Sequence, residues 1–542
     1  MNQSAETVVP SLDQDEHVYL KSYAKVEPLS NRWYVWGHLV SPVQRAMNMA
    51  FRQIPMLKSF ISSPAVHEAA SKNPALLGGT FLELKQSDLG AVRVLLQETM
   101  QRGTPMIQFA EELLRLDRQL LKAETGHSLD HIYDKLPQPL AGVVEVNYDL
   151  ASRPTLRVLE ELFHSDEFNI GTEQQLSFNF TKDSERNFFL NTPRLDTSDR
   201  HTISMPFSDE RVRLISSSRI SPTPFHALAN AFGVTGEDRE KLRAFFTMEP
   251  PRRDEPNYSG DGVRVRYFGH ACVLIQSSDV SILIDPFVTW DRDENEATLT
   301  FDDLPDVIDY VFLTHNHQDH FCPEVLLQLR GRIGEILVPR NNAYSLADPS
   351  MRIALRNLGF SNVRVMDPMD TVELAEGCIG SLPFYGEHAD LSIASKHAMY
   401  VKLKGRSFLF VADSDGKDRN LYRRIASIIG KVDTLFVGME CDGAPLTWLY
   451  GTYLSSPINR KDDESRRLSG SDAAHAWTIV EEMGCKTAYI YALGQEPWLR
   501  FVAGLSYTPE SKQIIESDKF VEHCLSAGVH SERLYGCRTM QF

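Results

Sequence analysis

Apolar residues recur at two different intervals along this chain, and the dominant interval changes near its middle. In "SPVQRAMNMAFRQIPMLKSFI" and "GAVRVLLQETMQRGTPMIQFAEELLRLDRQLLKAE" they return every three or four positions, as on one face of a helix, with breaks near Gly103 and Pro105. "AGVVEVNYDL" reads as a strand, "PTLRVLEELFHS" as a helix, and "QQLSFNFT" and "RNFFLNT" as a pair of strands. Thr235, followed three residues later by Asp238, opens "TGEDREKLRAFF" in the manner of a capping box. Together these elements predict an α+β N-terminal domain over residues 1–248.

Periodicity then stops. "TMEPPRRDEPNYSGDG", Thr247 to Gly262, is rich in proline, glycine and charge, and a linker is placed at 249–262. Beyond it "VRVRYFGHACVLIQSSDVSILIDPF" alternates apolar and polar residues, breaks at Ser277–Asp279 and resumes, which predicts a β-hairpin. "IGEILVP", "NVRVMDP", "AMYVKLKG" and "SFLFVADS" suggest a second sheet. The helices "DRNLYRRIASIIG" and "GSDAAHAWTIVEEMG" alternate with the strands "VDTLFVG" and "KTAYIYAL". Residues 263–542 are therefore expected to form a second domain with helices outside its sheets.

Length and charge narrow the function classes. At 542 residues the chain is too long for one core. A net charge of −17 argues against a broad nucleic-acid surface, which needs excess Lys and Arg. All seven cysteines lie at or beyond Cys272 without a CxxC pair, as expected of free thiols in a reducing cytoplasm. No secretory leader is read in "MNQSAETVVPSLDQDEHVYL", and no run of eighteen apolar residues offers a membrane span. The reading is a cytoplasmic protein, with no internal repeat.

The chemistry concentrates in "VFLTHNHQDHFC", Val311 to Cys322, which follows an apolar run directly. His315 and His317 project to one side of an extended segment, because side chains alternate with period two. Asp319 and His320 begin the next turn and can reach a second ion, so one short motif can seed a two-metal site. His127 and His131 stand four apart in helical register, but no third ligand cluster accompanies them and a solvated helix end is expected.

The H-N-H-Q-D-H pattern, preceded by "GHACVLI" and "ILIDPF", resembles the metallo-β-lactamase superfamily over about Val263 to Tyr507. The resemblance implies a C-terminal αβ/βα sandwich whose further ligands sit at the ends of later strands. Where most members carry the next histidine, this chain reads "YGEHAD": Glu387 falls at that place, with His388 beside it. Asp413 in "FLFVADSDG" matches the bridging aspartate, and no histidine follows "KTAYIYAL", where the sequence continues "GQEPWL". Three imidazoles and three carboxylates favour iron or manganese over zinc. Two readings stay open: Glu387 ligates, or His388 ligates while Glu387 is solvated, which restores a zinc hydrolase such as a thioesterase, lactonase or phosphodiesterase.

The glutamate, the missing histidine and the long N-terminal domain together resemble the diiron β-hydroxylases of nonribosomal peptide assembly, whose founding member acts in chloramphenicol biosynthesis. That resemblance implies a non-haem diiron centre, with His315, His317 and Glu387 on one iron, Asp319 and His320 on the other, and Asp413 bridging. It implies a dioxygen-dependent monooxygenase with an external electron donor, a separate reductase, and a homodimer. The substrate implied is an aminoacyl-phosphopantetheine on a nonribosomal peptide synthetase carrier domain, with an aromatic side chain or an aliphatic one such as leucine. Asp285 is placed to accept from the far nitrogen of a ligand histidine, and His270 to line the site. The long stretch from Met439 to Gly470 is expected to be a binding loop, with Trp448, Tyr450 and Tyr453 over the substrate. Arg460, Lys461, Arg466 and Arg467 are expected to face the acidic carrier or its phosphate.

Overall fold

A computed structural model describes residues 16–542 apart from 74–75, 77, 124–125, 165–172, 293–297, 344 and 505. The N-terminal residues read above for a leader therefore lie largely outside the described ones. Near the N-terminus the strands Trp33–Tyr34, Lys25–Ser30, Gln174–Asn179 and His201–Ser204 form an antiparallel sheet in that order. Helices Pro42–Asn48 and Ile54–Ser62 join through a π-helical turn, Met49–Gln53. Pro55, which has no N–H to give, sits just after the turn, where the helical ladder changes step. Gly103 and Pro105 separate the helices Leu89–Arg102 and Thr104–Leu120.

"IGEILVP" and "NVRVMDP", expected in a second sheet, instead extend the first by parallel pairing beyond Ile308–Phe312. In the N-terminal half two stretches depart from the periodicity reading. Pro154–Val158 is a strand, not a helix, because its alternation is used to pair with Val144–Tyr148; a short 3-10 turn at Glu160–His164 follows. "RNFFLNT" forms no strand: Arg186, Phe188 and Phe189 are all buried, their side chains drawn into packing and ion pairs that a flat strand could not supply. Thr235 precedes its helix as expected but makes no side-chain capping bond.

The rest of the chain is a metallo-β-lactamase-type sandwich. One sheet runs Val363–Met366, Ile333–Pro339, Ile308–Phe312, Ser281–Ile284, Val273–Gln276, Arg264–Tyr267 and Arg538–Gln541, parallel across its first four strands and antiparallel beyond. The other runs Thr371–Leu374, Gly377–Leu382, Ala398–Leu403, Arg406–Phe410, Thr434–Gly438, Thr487–Tyr491 and His530–Arg533, with its last three pairings parallel. Their inner faces interdigitate through residues such as Val265, Ile282, Phe312, Val401, Phe410 and Phe436. Helices Arg419–Ile429, Ala473–Met483 and Lys512–Ser526 cover the outside of the second sheet.

The outside of the first sheet is covered largely by the N-terminal domain. Leu274, Leu283, Val311 and Ile336 share one continuous core with Trp33, Trp36, Leu57 and Phe109. Ion pairs cross the same seam: Arg186, held by Glu27 at 2.8 Å within its own domain, meets the buried Glu324 at 2.6 Å, and the buried Lys25 meets the partly exposed Asp291. Each such charge would cost several kcal/mol to bury alone, so the pairs fix the docking of the two domains. Among the described residues no helix is long and apolar enough to cross a membrane.

Candidate metal centre

In a parallel sheet, functional residues collect beyond the carboxyl ends of the strands. Both sheets bring theirs to one place. The motif leaves Ile308–Phe312, Asp413 follows Arg406–Phe410, and Glu440 follows Thr434–Gly438. Glu387 arrives on the short strand Glu387–His388, pinned against Leu468–Ser469. Three non-glycine residues here, His270, Asp285 and Glu387, hold positive φ of 50, 40 and 67°. Such conformations cost of order 1–3 kcal/mol each and persist where surrounding structure imposes them.

The ligand atoms form overlapping groups. His315, His317 and Glu387 make one, His315, His320 and Asp413 a second, His270, Asp319 and His320 a third, each with its atoms within 4.8 Å of one another. Glu387, Asp413 and Glu440 make a fourth. His317 Nδ1 lies 2.7 Å from Glu387 Oε1, and His320 Nε2 lies 3.1 Å from Asp413 Oδ2. His315 Nε2, His320 Nε2 and Asp413 Oδ1 are buried without a hydrogen-bond partner. Buried polar atoms are normally satisfied, so a cluster of orphans aimed at one another fits missing cations.

The other face of each imidazole is occupied. His320 Nδ1 donates to Asp285 Oδ2 at 2.7 Å, and the fully buried Asp285 also accepts from Thr314 N and Oγ1. His315 Nδ1 is 3.0 Å from Thr314 Oγ1, and His317 Nε2 is 2.7 Å from Tyr450 Oη. These bonds leave Nε2 of His315, Nδ1 of His317 and Nε2 of His320 as the nitrogens turned toward the carboxylates. His388 Nδ1 lies 2.8 Å from Glu387 Oε2, 2.9 Å from Tyr450 Oη and 3.0 Å from His317 Nε2, and the residue belongs to none of the groups. Burial and nearby His317 outweigh Glu387 and lower His388 to about 4, so it is neutral at physiological pH. Glu387 itself is 2 % exposed, so it is not solvated.

Electrostatics ask for positive charge. Burial raises Glu440 well above the carboxylate range, and the Asp413, Glu387 and Asp319 carboxylates add to it. Burial alone would raise Asp319, but His320, His270 and His317 hold it below its usual value. His315 is pushed well down by burial and by His320 and His317. His320 goes the other way: burial would lower it, but the Asp413, Asp285 and Asp319 carboxylates outweigh that and raise it well above its ordinary value. Crowded carboxylates that hold a proton or an imidazolium between them are a donor set suited to cations.

Not every residue anticipated for the site is in it. His270 does more than line it: its Nε2 stands 3.1 Å from Asp319 Oδ2. Tyr450 lies behind His317, buried to 1 %, and Tyr453 bonds to His38 Nδ1 and Asn48 of the N-terminal domain. The expected irregular loop contains helices Leu446–Tyr450 and Arg460–Ser465. Trp448 and Arg467 line a cavity of about 410 Å³ that opens onto His317, Asp319, Glu387, Asp413 and Glu440. Arg460 instead points to solvent and pairs with Glu464, and Arg466 donates to Ala389 O. His131 is exposed and bonds only locally, to Ser128 O. Glu440 escaped sequence reasoning, although a carboxylate just beyond the parallel strand "TLFVG" repeats the pattern of Asp413 beyond "SFLFV".

Comparison with known proteins agrees with this geometry. The family described as "Diiron non-heme beta-hydroxylase N-terminal domain" matches residues 19–250, and the "Beta-lactamase superfamily domain" matches 264–407. The chain is 33% identical to the 4-amino-L-phenylalanyl-[CmlP-peptidyl-carrier-protein] 3-hydroxylase of Streptomyces venezuelae, over 96% of this chain and 99% of that one. The crystal structure of CmlA, a diiron β-hydroxylase from Streptomyces venezuelae, superposes with a TM-score of 0.91 over 97% of this chain and 100% of that one, again at 33% identity. A mutant of that β-hydroxylase gives a TM-score of 0.89 with the same coverage and identity. Likeness that runs the length of both chains, through both domains in the same order, shows that this protein belongs to the diiron non-haem β-hydroxylases.

Proposed function

We propose that this hydroxylase is a dioxygen-dependent diiron monooxygenase that hydroxylates the β-carbon of an amino acid held as a thioester on a peptide synthetase carrier domain. The observation that carries the reading is the ligand set: Glu387, buried where an imidazole would serve a zinc hydrolase, groups with His315 and His317, and His388 joins none of the groups. His315, His317 and Glu387 would hold one iron, Asp319 and His320 the other, and Asp413 would lie between, with His270 beside Asp319 and His320 and Glu440 beside Glu387 and Asp413. Bound iron supplies the activation of dioxygen and the cleavage of a strong C–H bond. The relative named above acts on an aromatic aminoacyl group, so an aromatic side chain is proposed here in preference to leucine.

The chain's own residues prepare that chemistry. Asp285 and Tyr450 fix which nitrogen of His320 and His317 faces the metals. Trp448, with the small residues Gly443, Ala444, Ala503 and Gly504, shapes a cavity of about 410 Å³ beside them and limits water. No flavin-binding segment is recognisable in the sequence, so a separate reductase is proposed as electron donor. A linker at residues 249–262 between the two domains, a homodimer and a cytoplasmic setting complete the proposal.

The test is incubation of the iron-loaded enzyme, a chemical reductant and an aminoacyl carrier under isotopically heavy dioxygen. One heavy oxygen in the amino acid, still attached to the carrier, is the expected product. Release of the free amino acid without oxygen gain would instead identify a thioester hydrolase.

A further inference from the structure

A second cavity, of about 500 Å³, adjoins the metal cavity. The two share Gly78, Gly79, Pro445 and Trp448 as walls. Gly78 has φ +76°, and a Cβ placed there would stand 3.5 Å from Trp448 Nε1; that indole donates to Gly78 O at 3.2 Å. The partition is thus one side chain against one strip of backbone. A larger groove, about 930 Å³ beside Tyr450 and Tyr453, shares no wall with the metal cavity.

The second cavity is walled by Phe51, Met56 and Leu190 and reaches the surface at Pro55 and Thr80. Arg52 also lines it, on the π-helical turn Met49–Gln53. Its Nη2 donates to Trp448 O at 2.8 Å, while its Nη1 is buried with no hydrogen-bond partner. Among the described residues no carboxylate forms an ion pair with Arg52. π-Helical turns often mark functional positions, and a guanidinium with one nitrogen bonded and the other without an acceptor, at the wall of an apolar cleft, asks for an oxygen from elsewhere. A pantetheine arm has the matching chemistry: a gem-dimethyl group and methylenes for the apolar walls, and amide carbonyls for a donor.

We propose that the cavity between the N-terminal domain and the Pro445–Thr452 segment receives the pantetheine arm of the carrier-bound substrate, with Arg52 donating to an amide carbonyl of the arm and Trp448 marking where the aminoacyl group turns into the metal cavity. This rests on the carrier-tethered reading above. It assigns the N-terminal domain a direct part in substrate specificity: amino acids lacking the arm forgo these contacts.

Ligand-observed NMR titrations of the iron-loaded enzyme with S-methylpantetheine, and with S-methyl-N-acetylcysteamine as the truncated arm, test it. Neither probe carries an amino acid, so the answer does not depend on the side chain accepted. The full arm is expected to bind the native protein at least about tenfold more tightly than the truncated one. Arg52→Met and, independently, Thr80→Trp at the exposed mouth should each remove most of that advantage. Full-arm binding that neither substitution changes would overturn the proposal while leaving the hydroxylase reading intact. Coenzyme A binding more tightly than S-methylpantetheine would overturn a carrier as the source of the arm. Equal, negligible binding of both probes to the native protein would overturn the site itself, whatever the oxygenation assay shows.

Discussion

Asp285→Asn keeps the shape of a fully buried side chain and changes one acceptor into a donor. The carboxylate accepts from Thr314 N at 2.7 Å through Oδ1, and from Thr314 Oγ1 at 2.6 Å and His320 Nδ1 at 2.7 Å through Oδ2. In the variant the remaining oxygen must stay on Thr314 N, or that buried amide loses its partner. The new NH₂ then faces His320 Nδ1, and two donors cannot share a hydrogen bond. His320 relieves the clash by moving its proton to Nε2, the atom 3.1 Å from Asp413 Oδ2, and the lone pair needed for a cation disappears. Loss of such a supporting partner typically weakens metal binding by about 10–100-fold, or ~1.4–2.7 kcal/mol. Anaerobic equilibrium dialysis of iron against a chelator measures this directly. One iron should weaken by that factor while the other is retained, and the thermal stabilisation gained on metal addition should shrink accordingly. A variant that holds both irons with native affinity would refute the role of Asp285 in setting the His320 tautomer.

Glu387→Ala should cost metal at one position, whereas His388→Ala should keep the native metal content; the reverse pattern in elemental analysis would make His388 the ligand. Tyr450→Phe removes the partner 2.7 Å from His317 Nε2, worth about 1 kcal/mol, and should shift the near-ultraviolet band of the iron-loaded protein; an unchanged spectrum would show that the contact does not reach the metal. Glu27 offers a test of pH dependence. Burial raises its carboxyl, but Arg194, Arg200 and Arg186 outweigh that and hold it well below its ordinary 4.5. A depressed folded-state value gives stability that is present above the unfolded pKa and lost as pH falls through the folded one. The native Tm should therefore drop as pH goes below about 4.5, and Glu27→Gln, at ~3–5 kcal/mol lower stability near neutrality, should have a flatter acid limb; parallel acid limbs would sink the assignment.

Much of the second domain was legible because its signals are local. The period-two run from Val263 to Phe287 becomes three consecutive strands, and five candidate ligands stand at or just past strand ends marked by apolar runs. The N-terminal half was harder because tertiary pairing overrides local pattern there. Pro154–Val158 has a helix-like continuation, yet its partner strand decides its conformation. "RNFFLNT" has the short apolar run of a buried strand, yet Arg186 must reach Glu27 and Glu324, far apart in sequence. Contacts such as Tyr450 with His317, separated by 133 residues, leave no trace in spacing. Neither does the seam of ion pairs and shared core that docks the two domains.

The most direct test of the diiron account is the metal content and visible spectrum of protein purified without added metal. About two irons per chain, with near-ultraviolet charge-transfer absorption that changes on reduction, is the predicted result. Two zincs and no colour, persisting after growth with abundant iron, would contradict it.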